Sequence, residues 1–111
     1  MASKQGVVDF ILEQIAAAGA VSARPMFGEY GLYCSGKLFG LVCDDQLFIK
    51  PTKSGRAFLG EDVTEAPPYP GAKPCFLIPG EQWEDSDYLA ELVRITMAEL
   101  PPTMGKKPRA N

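Results

Sequence analysis

Residues 24–50, RPMFGEYGLYCSGKLFGLVCDDQLFIK, contain the pattern in this chain that comes nearest to a nucleotide site. Gly31 is followed after four residues by Gly36 and Lys37, which is nearly the spacing of a phosphate-binding loop. Such a loop needs Ser or Thr after the lysine to hold magnesium, and it joins a strand to a helix. Leu38 stands in that position, and both flanks are typical of strands. The segment therefore predicts a hairpin turn and not a nucleotide site.

The chain has three cysteines and no histidine. Because no CxxC pair and no histidine are present, Cys/His zinc sites and Ser-His or Cys-His catalysis are excluded. In an antiparallel hairpin, Cys34 and Cys43 would lie about 20 Å apart at ~3.3 Å per residue. A disulfide needs Cα atoms within about 7 Å. Buried, unpaired thiols are therefore predicted for these two residues and for Cys75, with no metal and no cofactor.

Two groups of acidic residues have the chemistry to hold a cation. Asp44-Asp45 supplies only half a site, and a two-residue turn explains the pair. The other group consists of Glu81, Glu84, Asp85 and Asp87. Three of its members fall at the start of a predicted helix, where the helix dipole favours negative charge. Both groups are interpreted as structural, and no catalytic residue is predicted.

The spacing of apolar residues predicts a helix at each end and a set of strands between them. Three- and four-residue steps indicate a helix over 5–18, and Gly19 is its expected C-terminal stop because glycine is able to adopt the left-handed conformation. Ser35-Gly36 and Asp44-Asp45 are two-residue connectors that predict an antiparallel meander. The predicted strands are 22–27, 30–34, 37–43, 46–50 and 75–78. Pro25 confines the first of them to an edge of the sheet or to a strand start. Two further helices begin near Thr52 or Ser54 and at Asp85 or Ser86, and residues 65–74, with four prolines, are predicted to be irregular.

The register of the meander assigns its side chains to two faces. The expected opposite pairs are Cys34 with Lys37, Leu32 with Phe39, and Leu41 with Phe48. One charge-free face, predicted to be the core, receives Tyr33, Leu38, Val42, Leu47 and Ile49. The second face receives Leu32, Phe39, Leu41 and Phe48, bordered by Lys37, Gln46 and Lys50. Monomers seldom expose so large an apolar patch, so a second copy of the chain is predicted to cover it as a homodimer. A partner protein or the proline-rich segment is the competing cover.

Charge is unevenly distributed along the 111 residues. Residues 1–100 hold all 14 acidic residues and eight of the 11 basic ones, a charge of −6. Residues 101–111 carry +3 from Lys106, Lys107 and Arg109. Direct DNA binding is not expected of the acidic part, because phosphate contacts need clustered Lys and Arg. Residues 1–100 are predicted to form one domain, and 101–111 a flexible basic tail.

The sequence shows no feature of a membrane protein or an exported one. No apolar run reaches the ~18 to 20 residues of a membrane span. Asp9, Glu13 and Gln14 interrupt the apolar N-terminal segment, so an amphipathic helix fits it better than a signal peptide. With no export signal and an odd number of cysteines, a cytoplasmic location is expected.

Several short motifs of the segment 24–50 occur together in one known family. They are Arg24, Met26, Phe27 and Gly28 as Arg-x-Met-Phe-Gly, Tyr-Gly-Leu-Tyr at 30–33, Gly36-Lys37, Phe-x-Leu-Val at 39–42, and Leu-x-x-Lys at 47–50. In this combination the chain resembles the N-terminal domain of the TfoX/Sxy family, regulators of competence genes. Residues 70–100 are similar to the later strand and final helix of that domain, so the resemblance covers nearly all of residues 1–100.

The resemblance implies an α+β fold in which helices pack on one face of a curved antiparallel sheet. It also implies a regulatory domain that acts through protein contacts in transcription, with a transcription activator as the candidate partner. The family has no established catalytic residues, and the protein is not expected to be an enzyme. Full-length regulators carry a second, helical domain, which this chain is expected to lack.

A second hypothesis is a small-ligand site or an unrecognised enzyme in a cleft between the sheet and residues 65–74. Its candidate residues are Arg24, Tyr30, Lys50 and Trp83. The absence of the usual acid–base partners, histidine above all, weighs against it.

The segment RPMFGEYG is itself predicted to be mainly structural. Phe27 is expected to be buried, and Arg24 to form a local ion pair or hydrogen bonds to the backbone. Gly28 and Gly31 are expected to mark a bulge or a close approach of the backbone.

Overall fold

The computed structural model describes residues 4–26 and 28–100, which form three α-helices and one six-stranded sheet. The helices are α1 (Gln5–Ile15), α2 (Lys53–Leu59) and α3 (Ser86–Glu99). The strands are β1 (Val21–Met26), β2 (Glu29–Cys34), β3 (Lys37–Cys43), β4 (Gln46–Ile49), β5 (Thr64–Ala66) and β6 (Cys75–Ile78). Short 3₁₀ turns occupy Ala16–Ala18 and Gly80–Glu84. The predicted α+β fold, an antiparallel sheet with helices packed on one face, is confirmed.

The sheet has the strand order β1-β2-β3-β4-β6-β5, and all neighbouring strands are antiparallel. Strands β1 to β4 are the predicted meander with one strand added before it. β6 lies between β4 and β5, so the chain returns to the sheet before its last helix. β5 was not predicted, because it has only three residues and overlaps the proline-rich segment.

The two turns of the meander have the predicted chemistry. Ser35 and Gly36 have φ of 52° and 83°, and Asp44 and Asp45 have φ of 53° and 59°. Positive φ at both central residues is typical of type I′ turns, whose twist matches that of the flanking strands. The turns fix the pairs Cys34–Lys37 and Cys43–Gln46 beside them.

Side chains cap the starts of α2 and α3. The Thr52 hydroxyl accepts a hydrogen bond from the Gly55 N–H, and the Asp85 carboxylate accepts one from the Tyr88 N–H. α1 ends in a 3₁₀ turn followed by Gly19, which has φ 142° and ψ −153°. Gly19 is thus the predicted stop of the helical segment, in a backbone region that essentially only glycine adopts.

A β-bulge in β3 changes the predicted register. Tyr33 pairs with Leu38 and Leu32 pairs with Gly40, which leaves Phe39 without a partner in β2. The predicted pairing of Leu32 with Phe39 is therefore wrong. Beyond the bulge the β2–β3 pairs stay shifted by one residue, as in Gly31 with Leu41. The β3–β4 register is as predicted, and Leu41 pairs with Phe48.

The main core lies between the sheet and the helices. Its members from the sheet include Leu32, Phe39, Val42, Leu47 and Ile49, all at most 1% exposed. The helices contribute Val8, Ile11, Ile15, Leu89, Leu92 and Val93. The opposite side of the sheet, here called the open face, has a smaller buried cluster of Leu41, Cys43, Phe48 and Cys75, with Met26, Ala66 and Leu77 packed against it.

Each face of the meander therefore carries some of the side chains that were predicted for the other face. The bulge turns Phe39 towards the helices, and Leu32 lies there as well, so neither belongs to the second face. Tyr33 and Leu38 lie instead beside Gly31, which pairs with Leu41 on the open face. The predicted four-residue dimer surface is therefore not formed. Its other two members, Leu41 and Phe48, are 7% and 3% exposed within the single chain.

Two predictions fall outside the described residues: the burial of Phe27, and the flexible basic tail over 101–111. Within residues 4–26 and 28–100, no helix has the length and apolar character needed to cross a membrane.

Candidate functional site

Arg24 lies on the open face, at the exposed edge of the sheet. Its guanidinium carbon is 5.1 Å from the centre of the Tyr33 ring, a cation–π distance. Among the described residues Arg24 does not form the predicted ion pair. The ring of Tyr33 is the partner that the structure gives its guanidinium group.

The four candidate ligand-binding residues do not meet in one cleft. Tyr30 lies towards the helices, where its hydroxyl donates to Gln5 Oε1 at 3.2 Å. Trp83 lies in the helix layer and donates its indole N–H to the Ile78 carbonyl at 3.0 Å. Lys50 lies near the Cys75 thiol of the open face: burial raises the pKa of that thiol, and the Lys50 charge only opposes the rise. With Arg24 at the far edge, the four residues occupy both sides of the sheet.

The two glycines of the RPMFGEYG segment have different structural roles. Gly28 has φ of 80° in the β1–β2 turn, where a positive φ favours glycine. At Gly31, a Cβ atom would lie 3.1 Å from both Met26 Cε and Leu38 Cδ1. Gly31 therefore lets side chains from three neighbouring strands meet over it, which is an approach of side chains and not the predicted approach of the backbone.

Lys37 joins the β2–β3 turn to the last helix. Its ammonium group donates to the carbonyls of Met97 and Leu100 at 3.2 and 3.0 Å. Carbonyls at a helix C-terminus have no partners in the helix, and the helix dipole there favours a cation. The sequence indicated only a lysine beside a turn, because its partners are about 60 residues away along the chain.

The last helical residue, Glu99, caps another helix. Its two carboxylate oxygens accept hydrogen bonds from the Lys53 and Ser54 N–H groups, each at 2.8 Å. These bonds, the one from Ser54 first, lower the pKa of Glu99 below its ordinary value. An anion position at the start of α2 is thus occupied by the chain's own carboxylate.

The thiols on the open face are poorly suited to nucleophilic chemistry. Burial is the main cause that raises the pKa of Cys43 to about 11, and the nearby Glu29 carboxylate adds to it. Burial also raises the pKa of Cys75, against the opposing charge of Lys50. At neutral pH both thiols are therefore protonated, whereas the thiolate is the reactive form. All three cysteines are buried and free, as predicted.

No cluster of three or more Cys, Asp or Glu side chains in the described parts of the chain could hold a metal ion. The structural interpretation of the acidic residues is confirmed at three of them: Asp44 and Asp45 form a turn, and Asp85 caps α3.

Two small cavities lie next to one another where β6 ends at Ile78 and the chain continues with Pro79. Together they are called the β6 crevice. Their volumes are about 150 and 210 Å³. Both are lined by Thr64, Leu77, Ile78 and Pro79. The first is also lined by Leu59, Asp62, Val63, Gln82 and Tyr88, and the second by Asp45, Gln46, Gly80 and Trp83. Only Trp83 among these residues was predicted from the sequence as a candidate site residue, because the others come from four separate segments of the chain.

Two comparisons with known proteins agree with one another. Residues 13–100 match the TfoX N-terminal domain. The chain is also 35% identical over 107 residues to an uncharacterized 12.7 kDa protein of the trpE 5′ region of Spirochaeta aurantia. That alignment covers 96% of this chain and 91% of the relative, so the similarity extends through the whole fold described above.

Proposed function

Because the chain belongs to the TfoX N-terminal domain family, we propose that it is a regulatory domain that acts on transcription, of the competence type, by contacting another protein. The observation that carries the proposal is the match over residues 13–100, which includes every strand and all of α2 and α3. A transcription activator is the candidate partner.

The chemistry of the described residues supports a binding function over a catalytic one. The chain has no histidine, and the thiols of Cys43 and Cys75 have raised pKa values. Acid–base and nucleophilic catalysis need groups with pKa values near neutrality or an activated nucleophile. The TfoX N-terminal domain is also not a known enzyme family.

The charge of residues 1–100 supports a protein partner over DNA. This part of the chain carries −6, and two of its basic side chains, those of Arg56 and Arg94, are paired with Glu65 and Glu91. Affinity for DNA depends mainly on unpaired cations that contact phosphates. We expect the purified chain to bind DNA weakly, without sequence preference and only at low salt.

Transcript profiling tests the proposal directly. The source cell is compared with a strain that lacks the gene and with the same strain carrying the wild-type gene on a plasmid. We expect a defined set of transcripts to change in the deletion strain and to return when the gene is restored. Unchanged transcripts in the deletion strain would refute a role in transcription.

A gel-shift assay with the purified chain tests the route of action. DNA upstream of the affected genes is incubated with the chain alone, with a candidate activator alone, and with both. We expect retardation only with the activator, and a further shift when the chain is added. Tight, sequence-specific retention by the chain alone at physiological salt would show that it acts on DNA directly.

A further inference from the structure

The β6 crevice is a depression at the end of β6, with both apolar and polar residues in its lining. Leu77 and Trp83 line the larger cavity and are both half-buried, so part of each remains open to solvent. The only polar atom of the Trp83 indole already donates to the Ile78 carbonyl. The exposed part of this ring therefore offers apolar surface.

The size of the crevice favours a side chain over a small-molecule ligand. Its two cavities are about 150 and 210 Å³, so each is below the ~300 Å³ at which pockets for small molecules and cofactors begin, and together they only just exceed it. One aliphatic side chain fits such a space. Proteins commonly recognise short segments by one apolar anchor in a pocket of this kind.

The charged side chains that line the crevice are acidic. Asp62 and Asp45 line the two cavities, and Glu81 and Glu84 are exposed on the 3₁₀ turn that carries Trp83. Neither cavity is lined by Lys or Arg, and no described Lys or Arg side chain forms an ion pair with Asp62, Glu81 or Glu84. Such a rim attracts basic groups and repels acidic ones.

We propose that the β6 crevice is a docking site for a basic segment of a partner protein, which inserts one aliphatic side chain into the cavity that Leu77 and Trp83 line. The inference rests on the proposed function, since it names the surface and the chemistry by which that contact is made. Apolar burial supplies the affinity, and the acidic rim selects Lys and Arg on both sides of the anchor.

The single tryptophan of the chain provides a direct measurement. Trp83 fluorescence is followed while the full chain is titrated with the synthetic peptide acetyl-Lys-Arg-Leu-Arg-Lys-amide, which itself lacks tryptophan. Control peptides replace the central leucine by alanine, or the four basic residues by glutamate. We expect the leucine peptide to bind about tenfold more tightly than the alanine peptide, from the apolar groups that the anchor buries. We expect the acidic peptide not to bind.

Two substitutions test whether this binding occurs in the crevice. Thr64 is exposed and lines both cavities, so Thr64→Phe should fill them and weaken binding of the leucine peptide about tenfold. Asp62→Lys reverses a charge of the rim and should weaken it several-fold, mostly at low salt. Glu13→Lys makes the same change of charge at an exposed site on α1 that lines neither cavity, and it should leave binding within about twofold of wild type.

Equal affinity for the leucine and alanine peptides would overturn the proposal, because no anchor would then be recognised. Equal weakening by Glu13→Lys and Asp62→Lys would also overturn it, since only the net charge would matter. If Thr64→Phe fails to fold, the comparison of Asp62→Lys with Glu13→Lys still shows whether the peptide binds in the crevice.

Expression of the Thr64→Phe chain in the deletion strain separates this inference from the proposed function. If it restores the transcripts as fully as wild type, the crevice is not the contact surface, although the regulatory function stands. If deletion changes no transcript, the regulatory function fails, and the peptide titration still decides whether the crevice binds basic segments.

Discussion

Two charged side chains hold the C-terminal end of α3 to the rest of the molecule. Lys37 donates to the last carbonyls of the helix, and Glu99 accepts from the first N–H groups of α2. Both act on helix ends, where backbone groups lack partners within the helix. The Gly-Lys motif of the β2–β3 turn thus has a structural explanation.

Replacing Lys37 by Met should destabilise the protein by about 1–2 kcal/mol, because two carbonyls at the end of α3 lose their charged donor. Urea unfolding followed by circular dichroism measures the loss. Lys73→Met removes a charge from an exposed side chain and should change the free energy of unfolding by less than about 0.5 kcal/mol. Equal effects of the two substitutions would contradict a specific role for Lys37.

The stability of the protein should depend on pH through the ionisation of the Glu99 carboxyl group. Its pKa is lowered in the folded state relative to the ordinary value of 4.5, so folding favours the charged carboxylate. The stabilisation is therefore complete above about pH 4.5 and is lost as the pH falls through the lower folded pKa.

Urea unfolding at several pH values from 7 to 3 tests this for wild type and Glu99→Gln. We expect the substitution to destabilise most at neutral pH and the difference to shrink below about pH 4.5. Glu84→Gln, at an exposed position, should follow the wild-type profile. A constant difference between wild type and Glu99→Gln over the whole range would mean that the charge of Glu99 does not matter.

The bulge in β3 is the element that decides which side chains enter the core. It places Phe39 in the main core without a partner in β2, and the next residue is Gly40. A Cβ atom at Gly40 would lie 2.5 Å from the carbonyl oxygen of Phe48 in β4. Only glycine allows β3 and β4 to approach so closely beside the bulge.

Gly40→Ala should therefore destabilise the protein by about 2 kcal/mol or more, because a backbone atom cannot move aside as a flexible side chain can. Gly6→Ala is the matched control, since Gly6 lies in α1 with nothing within 4 Å of an added Cβ. We expect that control to stabilise by up to about 1 kcal/mol, as alanine favours helix. Thermal and urea unfolding of both variants measure the effects, and a neutral Gly40→Ala would show that the strands can separate there.

At the scale of the whole molecule, both edges of the sheet are poor at pairing with another strand. The backbone N–H of Ser35 donates to the Ala20 carbonyl, so the backbone groups of Ala20 face β2. Backbone groups alternate in direction along a strand, so those of Val21, Ala23 and Pro25 point away from β2. Val21 already donates to Gly19, and proline has no N–H, which leaves Ala23 as the outward donor of β1. The other edge, β5, has three residues and is followed by Pro67-Pro68. Short strands and edge prolines are common protections against edge pairing.

We expect the chain to sediment as a monomer of 12.0 kDa at micromolar concentration. The apolar side chains on which a homodimer was predicted are buried within one chain, and the edges offer few free donors. Sedimentation velocity at several concentrations measures the mass. A stable dimer would require a surface other than Leu32, Phe39, Leu41 and Phe48, and Arg24→Ala with Leu38→Ser would test the open face as that surface.

The sequence by itself determined the elements whose signals are local. The spacing of apolar residues predicted α1, and Asp85 predicted the start of α3. The connectors Ser35-Gly36 and Asp44-Asp45 predicted the register beside each turn, as in the pair Cys34–Lys37. Periodicity, capping and turn chemistry involve residues only a few positions apart, so they can be read from the chain directly.

Only the tertiary structure decided the features that depend on distant residues. The alternation of side chains along a regular strand predicts a β3 without a bulge. In the structure β3 has one extra residue, which lets Phe39 pack in the main core. Residues of β3 that precede the bulge therefore lie on the opposite face from the one predicted. The hydrogen bonds of Lys37 and Glu99 join residues 45 to 63 positions apart. The β6 crevice likewise combines side chains from separate segments, which become neighbours only when β6 enters the sheet between β4 and β5.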